Sequence, residues 1–133
     1  MKTYNKYALC IIRDNRLLVQ EEIGEEHYLL PGGRAEDGEG AIQALCRELK
    51  EELGVELELE SLCFVGEFED VSAGRDDIRV HVDLYRGNYQ GDIKLGSEVT
   101  GLVWIGKNDD WSKLAPVTRN KILPALLKKK LLT

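Results

Sequence analysis

Nothing in the sequence is long and apolar enough to read as a membrane span, which needs roughly 18–20 such residues. The first apolar run, Tyr7 to Ile12, is closed by Arg13 and Asp14, so the N-terminus does not read as a secretory signal. A cytoplasmic protein is the expectation. Basic excess is also missing: 18 Lys and Arg face 24 Asp and Glu, a formal net charge of −6. That argues against a polynucleotide partner, because phosphate backbones are held by basic patches. It leaves room for a small anionic substrate, which an acidic site binds through divalent cations. Cysteine is scarce. Cys10, Cys46 and Cys63 are odd in number, form no CxxC pair and sit beside apolar neighbours, which predicts buried, reduced thiols. Repeats, low-complexity tracts and linkers are absent, and 133 residues suit one domain over 1–133.

What is present is a globular pattern, 43% apolar and 32% charged. "YALCIIRDNRLLVQEE" predicts a hairpin around Asp14-Asn15. "YLLPGG" predicts a strand ending at Pro31 and a tight glycine turn. Asp37 to Leu53 reads as a helix stopped by Gly54. "ELELESLCFVGEFE" is extended, as one strand or two, and "RVHVDLYRGNY" alternates as a half-buried strand should. "TGLVWIG" is a further strand. A terminal helix starts near Val117, with Pro124 expected to kink or split it. Lys128 to Lys130 read as its solvated end. The order predicts a layered α/β or α+β domain.

The helix poses a problem in "RELKEELG", Arg47 to Gly54. On a helical wheel Ile42, Leu45, Leu49 and Leu53 form a buried stripe, and Glu48, Glu51 and Glu52 gather on its flank. Each like-charged pair at i, i+3 or i, i+4 costs a few tenths of a kcal/mol. The last turns of a helix are partially negative and favour cations. The glutamates are either a solvated acidic face or a site for a hard divalent cation, which would reverse the penalty.

The flanks narrow this. Gly33, five residues, Glu39, seven residues, Arg47-Glu48-Leu49, one residue, Glu51-Glu52, one residue and Gly54-Val55 follow one another. The spacing resembles the Nudix hydrolase (MutT-like) signature, Gx5Ex7REUxEExGU with U aliphatic. Seven fixed positions match by chance on the order of once in 10⁸ starts at ordinary composition. The resemblance implies an α+β Nudix fold, an α/β/α sandwich with a mixed sheet and the box as a loop–helix–loop. It implies Mg²⁺- or Mn²⁺-dependent hydrolysis of a nucleoside diphosphate linked to a further group. A nucleoside triphosphate, canonical or oxidised, is the favoured substrate. ADP-ribose or a nucleotide sugar is the alternative, and a non-catalytic nucleotide sensor is the alternative of another class. Carried over by position, Glu48, Glu51 and Glu52 are metal ligands with the Gly32 carbonyl. Arg47 orients them, with Glu39 as its partner, and Gly33 and Gly54 serve turns. Glu48 is the expected general base. Glu98, in the loop before "VWI", is either an outside ligand or base or an ordinary exposed glutamate. Tyr28 stands where many relatives carry Trp, and it and His81 are candidates to line the substrate cleft. Trp104 reads as core, and Trp111 as packing over the last helix or bordering the site. The chain is expected to be a monomer or homodimer.

Overall fold

The structure is a computed structural model and describes residues 2–133. Strand β1 (Lys2–Cys10) is the central element. It pairs in parallel with β7 (Arg75–Arg86), which pairs antiparallel with β6 (Cys63–Ser72). On its other side β1 pairs antiparallel with a two-residue strand, β4 (Gly32–Gly33). The chain then passes through Ile11, whose carbonyl accepts the Leu18 N–H at 2.9 Å, into a second sheet. That sheet has the order β2-β3-β9, with β2 at Ile12–Arg13, β3 at Arg16–Glu22 and β9 at Val99–Ile105. A short ribbon joins β5 (Glu56–Leu57) to β8 (Tyr89–Gln90).

Period-two alternation sorts the strand residues onto two faces. Leu9, Ile11 and Leu18 pack against Leu45, Leu49 and Leu53 of helix α1 (Ala41–Leu53). Ala8, Leu17, Val19, Val80, Val82 and Leu84 face the C-terminal helix through Val117, Ile122, Leu123 and Leu126. Helices therefore cover both faces of a mixed, mainly antiparallel set of strands, the α+β layering that the element order predicts. Among the described residues no helix is long and apolar enough to cross a membrane.

Several expectations change in detail. The Asp14-Asn15 turn exists, with both residues at positive φ as a tight hairpin requires, but β2 is only two residues long. Leu29 and Leu30 form no strand. The strand lies just beyond Pro31, at Gly32–Gly33. Helix α1 begins at Ala41 rather than Asp37. Gly38 adopts φ +80°, which ends any helical run there, and the Gly40 N–H donates to Gln43 Oε1 at 2.8 Å as the helix starts. The C-terminal helix starts at 116, widens to a π turn at Thr118–Ile122 and continues as α2 (Leu123–Lys128). The wide turn ends two residues before Pro124, which has no N–H to donate back along the helix. Cys10 is buried, and burial pushes its thiol up to about 12. Cys46 is half-buried, but Cys63 is exposed, because β6 is an edge strand there and its outer face is uncovered. All three are free thiols. Trp104 packs beside the α1 core, and Trp111 packs against the other core while its indole N–H donates to the Gly106 carbonyl at 3.0 Å.

Leu49 lies at 0% exposure in the middle of the α1 stripe. Leu49→Ala should cost about 2–5 kcal/mol. A urea melt should show this as a lower midpoint at unchanged slope.

Candidate active site

Helix α1 is held in place by its apolar stripe, and that fixes which way its acidic flank points. The first consequence is a hub at Arg47. Its Nε and Nη2 donate to both oxygens of Glu39, at 2.7 and 2.9 Å. Its Nη1 reaches Glu48 at 2.9 Å and Glu51 at 3.3 Å, and Nη2 also donates to the Arg34 carbonyl at 3.1 Å. The Arg47 hydrogen bonds hold the Glu39 carboxyl down at about 2.

The second consequence concerns the box glycines. Gly54 takes the expected left-handed conformation, φ +69°, and its N–H donates to the Lys50 carbonyl. Gly33 does something other than the turn expected of it. It lies in β4, and a Cβ built there would stand 2.5 Å from the Glu48 carboxyl carbon. Gly33 is the room that Glu48 occupies. Gly32 is equally confined, since a Cβ would meet the Tyr7 carbonyl oxygen at 2.0 Å, and its N–H donates to Glu52 Oε1 at 2.9 Å.

Loop N–H groups meet two of the last carbonyls of α1. The Lys94 N–H donates to the Leu53 carbonyl at 2.8 Å and the Gly96 N–H to the Glu52 carbonyl at 2.9 Å. The loop that makes these bonds leads directly to Glu98. Glu98 thereby joins Glu48, Glu52, Gly32, Gly33 and Arg47 around one open cleft. Glu51 stands at the rim, its side chain 58% exposed and tied to Arg47.

Two of the cleft carboxyls resist ionisation. Burial pushes Glu52 up to about 8, against the attraction of Lys6 and the Gly32 N–H, and the charges of Glu22 and Glu48 push the same way. Burial also raises Glu48, against its hydrogen bond from Arg47. Glu22, Glu36, Glu48, Glu52 and Glu98 outnumber Lys6, Arg34 and Arg47 around this cleft, and crowded, partly desolvated carboxylates are a hard-oxygen donor set of the kind that holds Mg²⁺ or Mn²⁺. The residues present fit such a cation.

His81 and Tyr28 lie elsewhere. His81 is on the opposite face of β7 from Val80 and Val82, with Nε2 3.1 Å from Glu67 and 3.2 Å from Asp83. Tyr28 packs against the C-terminal core, and its backbone bonds to Lys113 and Ala115 fasten the loop before the last helix. The cleft instead contains Lys6 and Glu22, which the sequence reading did not single out. Lys6 lies in the middle of β1 and Glu22 ends β3, and in the sequence each looks like a lone solvated charge. Only the strand pairing reveals where they converge.

The raised Glu52 carboxyl sets two expectations. The folded protein holds that proton more tightly than the unfolded chain, so without metal this group's contribution to stability falls as pH rises from about 4.5 to about 8. A cation held by Glu52 would have to displace this proton, so divalent-cation affinity should then rise with pH up to about 8 and level off above it. Thermal melts in chelator and Mn²⁺ titrations across pH check both, and Glu52→Gln should flatten both profiles. Gly33→Ala should leave the fold intact, since a flexible carboxylate gives way rather than backbone. It should lower Mn²⁺ affinity by about tenfold or more by moving Glu48.

Comparison with known proteins meets this geometry. The NUDIX domain family model matches residues 3–126. Among solved structures, a MutT NUDIX hydrolase from Burkholderia pseudomallei superposes with a TM-score of 0.76 at 23% identity, covering 96% of this chain and 98% of that one. The ORF135 protein of E. coli gives 0.74 at 27% identity, covering 98% and 92%. An ADP-ribose pyrophosphatase from Streptococcus suis gives 0.61 at 18% identity, covering 95% and 90%. No curated protein matches the sequence significantly. The family match spans the Arg47 hub, its glutamates and both faces of the sheet, and on that match the chain belongs to the Nudix family and is a pyrophosphohydrolase.

Proposed function

We propose that the enzyme hydrolyses a nucleoside triphosphate, canonical or oxidised, to the monophosphate and pyrophosphate, with Mg²⁺ or Mn²⁺. The observation that carries this reading is the convergence of Glu48, Glu52 and Glu98 on one cleft beside Gly32. Glu48, Glu51, Glu52, Glu98 and the Gly32 carbonyl would hold the cation. When bound, it would screen the pyrophosphate charge and make a water more acidic. Glu48 accepts the proton of the attacking water, and burial, which favours its protonated form, suits it to that role. Arg47 keeps the Glu48 carboxylate from turning away, and Glu39 keeps Arg47 in place.

A second, mainly apolar cleft lies between the sheet and the C-terminal helix, walled by Tyr4, Ala8, Val80, Val82 and Val117. It meets the acidic cleft at Lys6 and Leu29, which line both. This arrangement supports a substrate with a flat or apolar group at one end and phosphates at the other.

The test is a panel of nucleoside triphosphates, ADP-ribose, nucleotide sugars and dinucleoside polyphosphates with Mg²⁺, scored by the phosphate-containing product released. Turnover of triphosphates with release of pyrophosphate is the expected result, and Glu52→Gln should reduce it by more than about 100-fold with the fold intact. Turnover confined to ADP-ribose or nucleotide sugars would replace the substrate reading. Binding without turnover on every member would replace it with a nucleotide sensor.

A further inference from the structure

Glu22 is a cleft carboxylate that the box does not supply. It ends β3, half-buried, and its one side-chain hydrogen-bond partner among the described residues is Gln20, whose Nε2 donates to Glu22 Oε2 at 3.0 Å. Gln20 is fully buried, and its Oε1 has no partner. Buried acceptors are rarely left unmet. Here the amide must present its donor to a carboxylate, so its acceptor is orphaned.

Backbone irregularity points the same way. The β3–β9 register slips between Glu21, opposite Gly101, and Glu22, opposite Val99. Such a bulge at a sheet edge re-aims the side chains beside it. The Ile23 N–H then donates to the Glu98 carbonyl at 2.9 Å. One irregularity thus brings both Glu22 and Glu98 to the cleft where Glu48 and Glu52 stand. Lys6, which lines the same cleft, donates to the Leu30 carbonyl at 2.8 Å. A half-buried carboxylate among like charges, steered by a buried amide that leaves its own oxygen unmet, is costly unless a cation enters the cleft.

We propose that Glu22 is a further carboxylate of the divalent-cation site and that Gln20 is its positioning residue. The inference rests on the cation-dependent reading of the cleft given above. The test follows free Mn²⁺ by electron paramagnetic resonance as it is titrated into the wild type, E22Q, E52Q and E21Q. E22Q keeps the side chain's size and a hydrogen bond to Gln20, and it should bind Mn²⁺ about tenfold more weakly or worse. Its melting temperature in chelator should not fall, and E21Q should bind as the wild type does. If E22Q binds Mn²⁺ as tightly as the wild type while E52Q does not, Glu22 is no ligand and the reading of the cleft still stands. If the wild type binds no Mn²⁺, both are overturned. For Gln20, Q20M should weaken Mn²⁺ binding in the wild type and add little in E22Q. A full additional loss in the E22Q background would overturn the positioning role.

Discussion

One guanidinium organises the acidic cleft. Arg47 gives one edge of its planar fork, Nε and Nη2, to Glu39 and has Nη1 left for Glu48 and Glu51. Because the fork is rigid, fixing one edge fixes the direction of the other donors. Glu39, in the loop ahead of α1, therefore acts on the cleft through Arg47 without lining it. The Arg34 carbonyl joins the same fork and binds the incoming loop to the helix. If the Arg47–Glu39 pair were lost, the stretch from β4 to α1 would have lost the contact that sets its path, and the Gly33 backbone would no longer stand against Glu48.

The cleft sets function against stability. A helix end lined with glutamates would favour lysine for stability alone. The chain instead caps the last carbonyls with loop N–H groups and leaves Glu48 and Glu52 partly desolvated. Carboxyls that desolvation makes harder to ionise cluster at functional sites. The apolar stripe behind them supplies the compensation. Leu45, Leu49 and Leu53 are wholly buried on the same helix, so the element that carries the strain is also among the best anchored.

The sequence was most legible where periodicity and chemistry coincide. Leu45, Leu49 and Leu53 of the α1 stripe, the alternation in β7 and the apolar run in β9 form as their patterns predict, although Ile42 is only half-buried, and Glu39, Glu48 and Glu51 assemble around Arg47. It was less legible where a single backbone angle decides. Gly38 delays the start of α1, and a two-residue strand at Gly32–Gly33 replaces the strand expected before Pro31. It was least legible where distant segments meet. Lys6 and Glu22 reach the cleft only through strand pairing, and a bulge in that pairing has no local signature in the residues. His81 shows the reverse limit. Alternation placed it on the polar face of its strand, but could not say that this face looks away from the apolar cleft walled by Val80 and Val82.

The bonds from Lys94 and Gly96 to the end of α1 also bear on how the cleft moves. The loop bearing Glu98 and the helix bearing Glu48 and Glu52 are stitched together by backbone, and a Cβ at Gly96 would meet the Glu51 carbonyl oxygen at 1.9 Å. Loops usually sample many conformations, and a ligand contributed by a mobile loop costs entropy each time it is captured. Here that cost is met during folding. Backbone bonds tie the carboxylates of two separate segments together, so on the proposed reading a cation would meet a nearly finished set of oxygens, and slow motions of the loop and of the helix end should be a single collective motion.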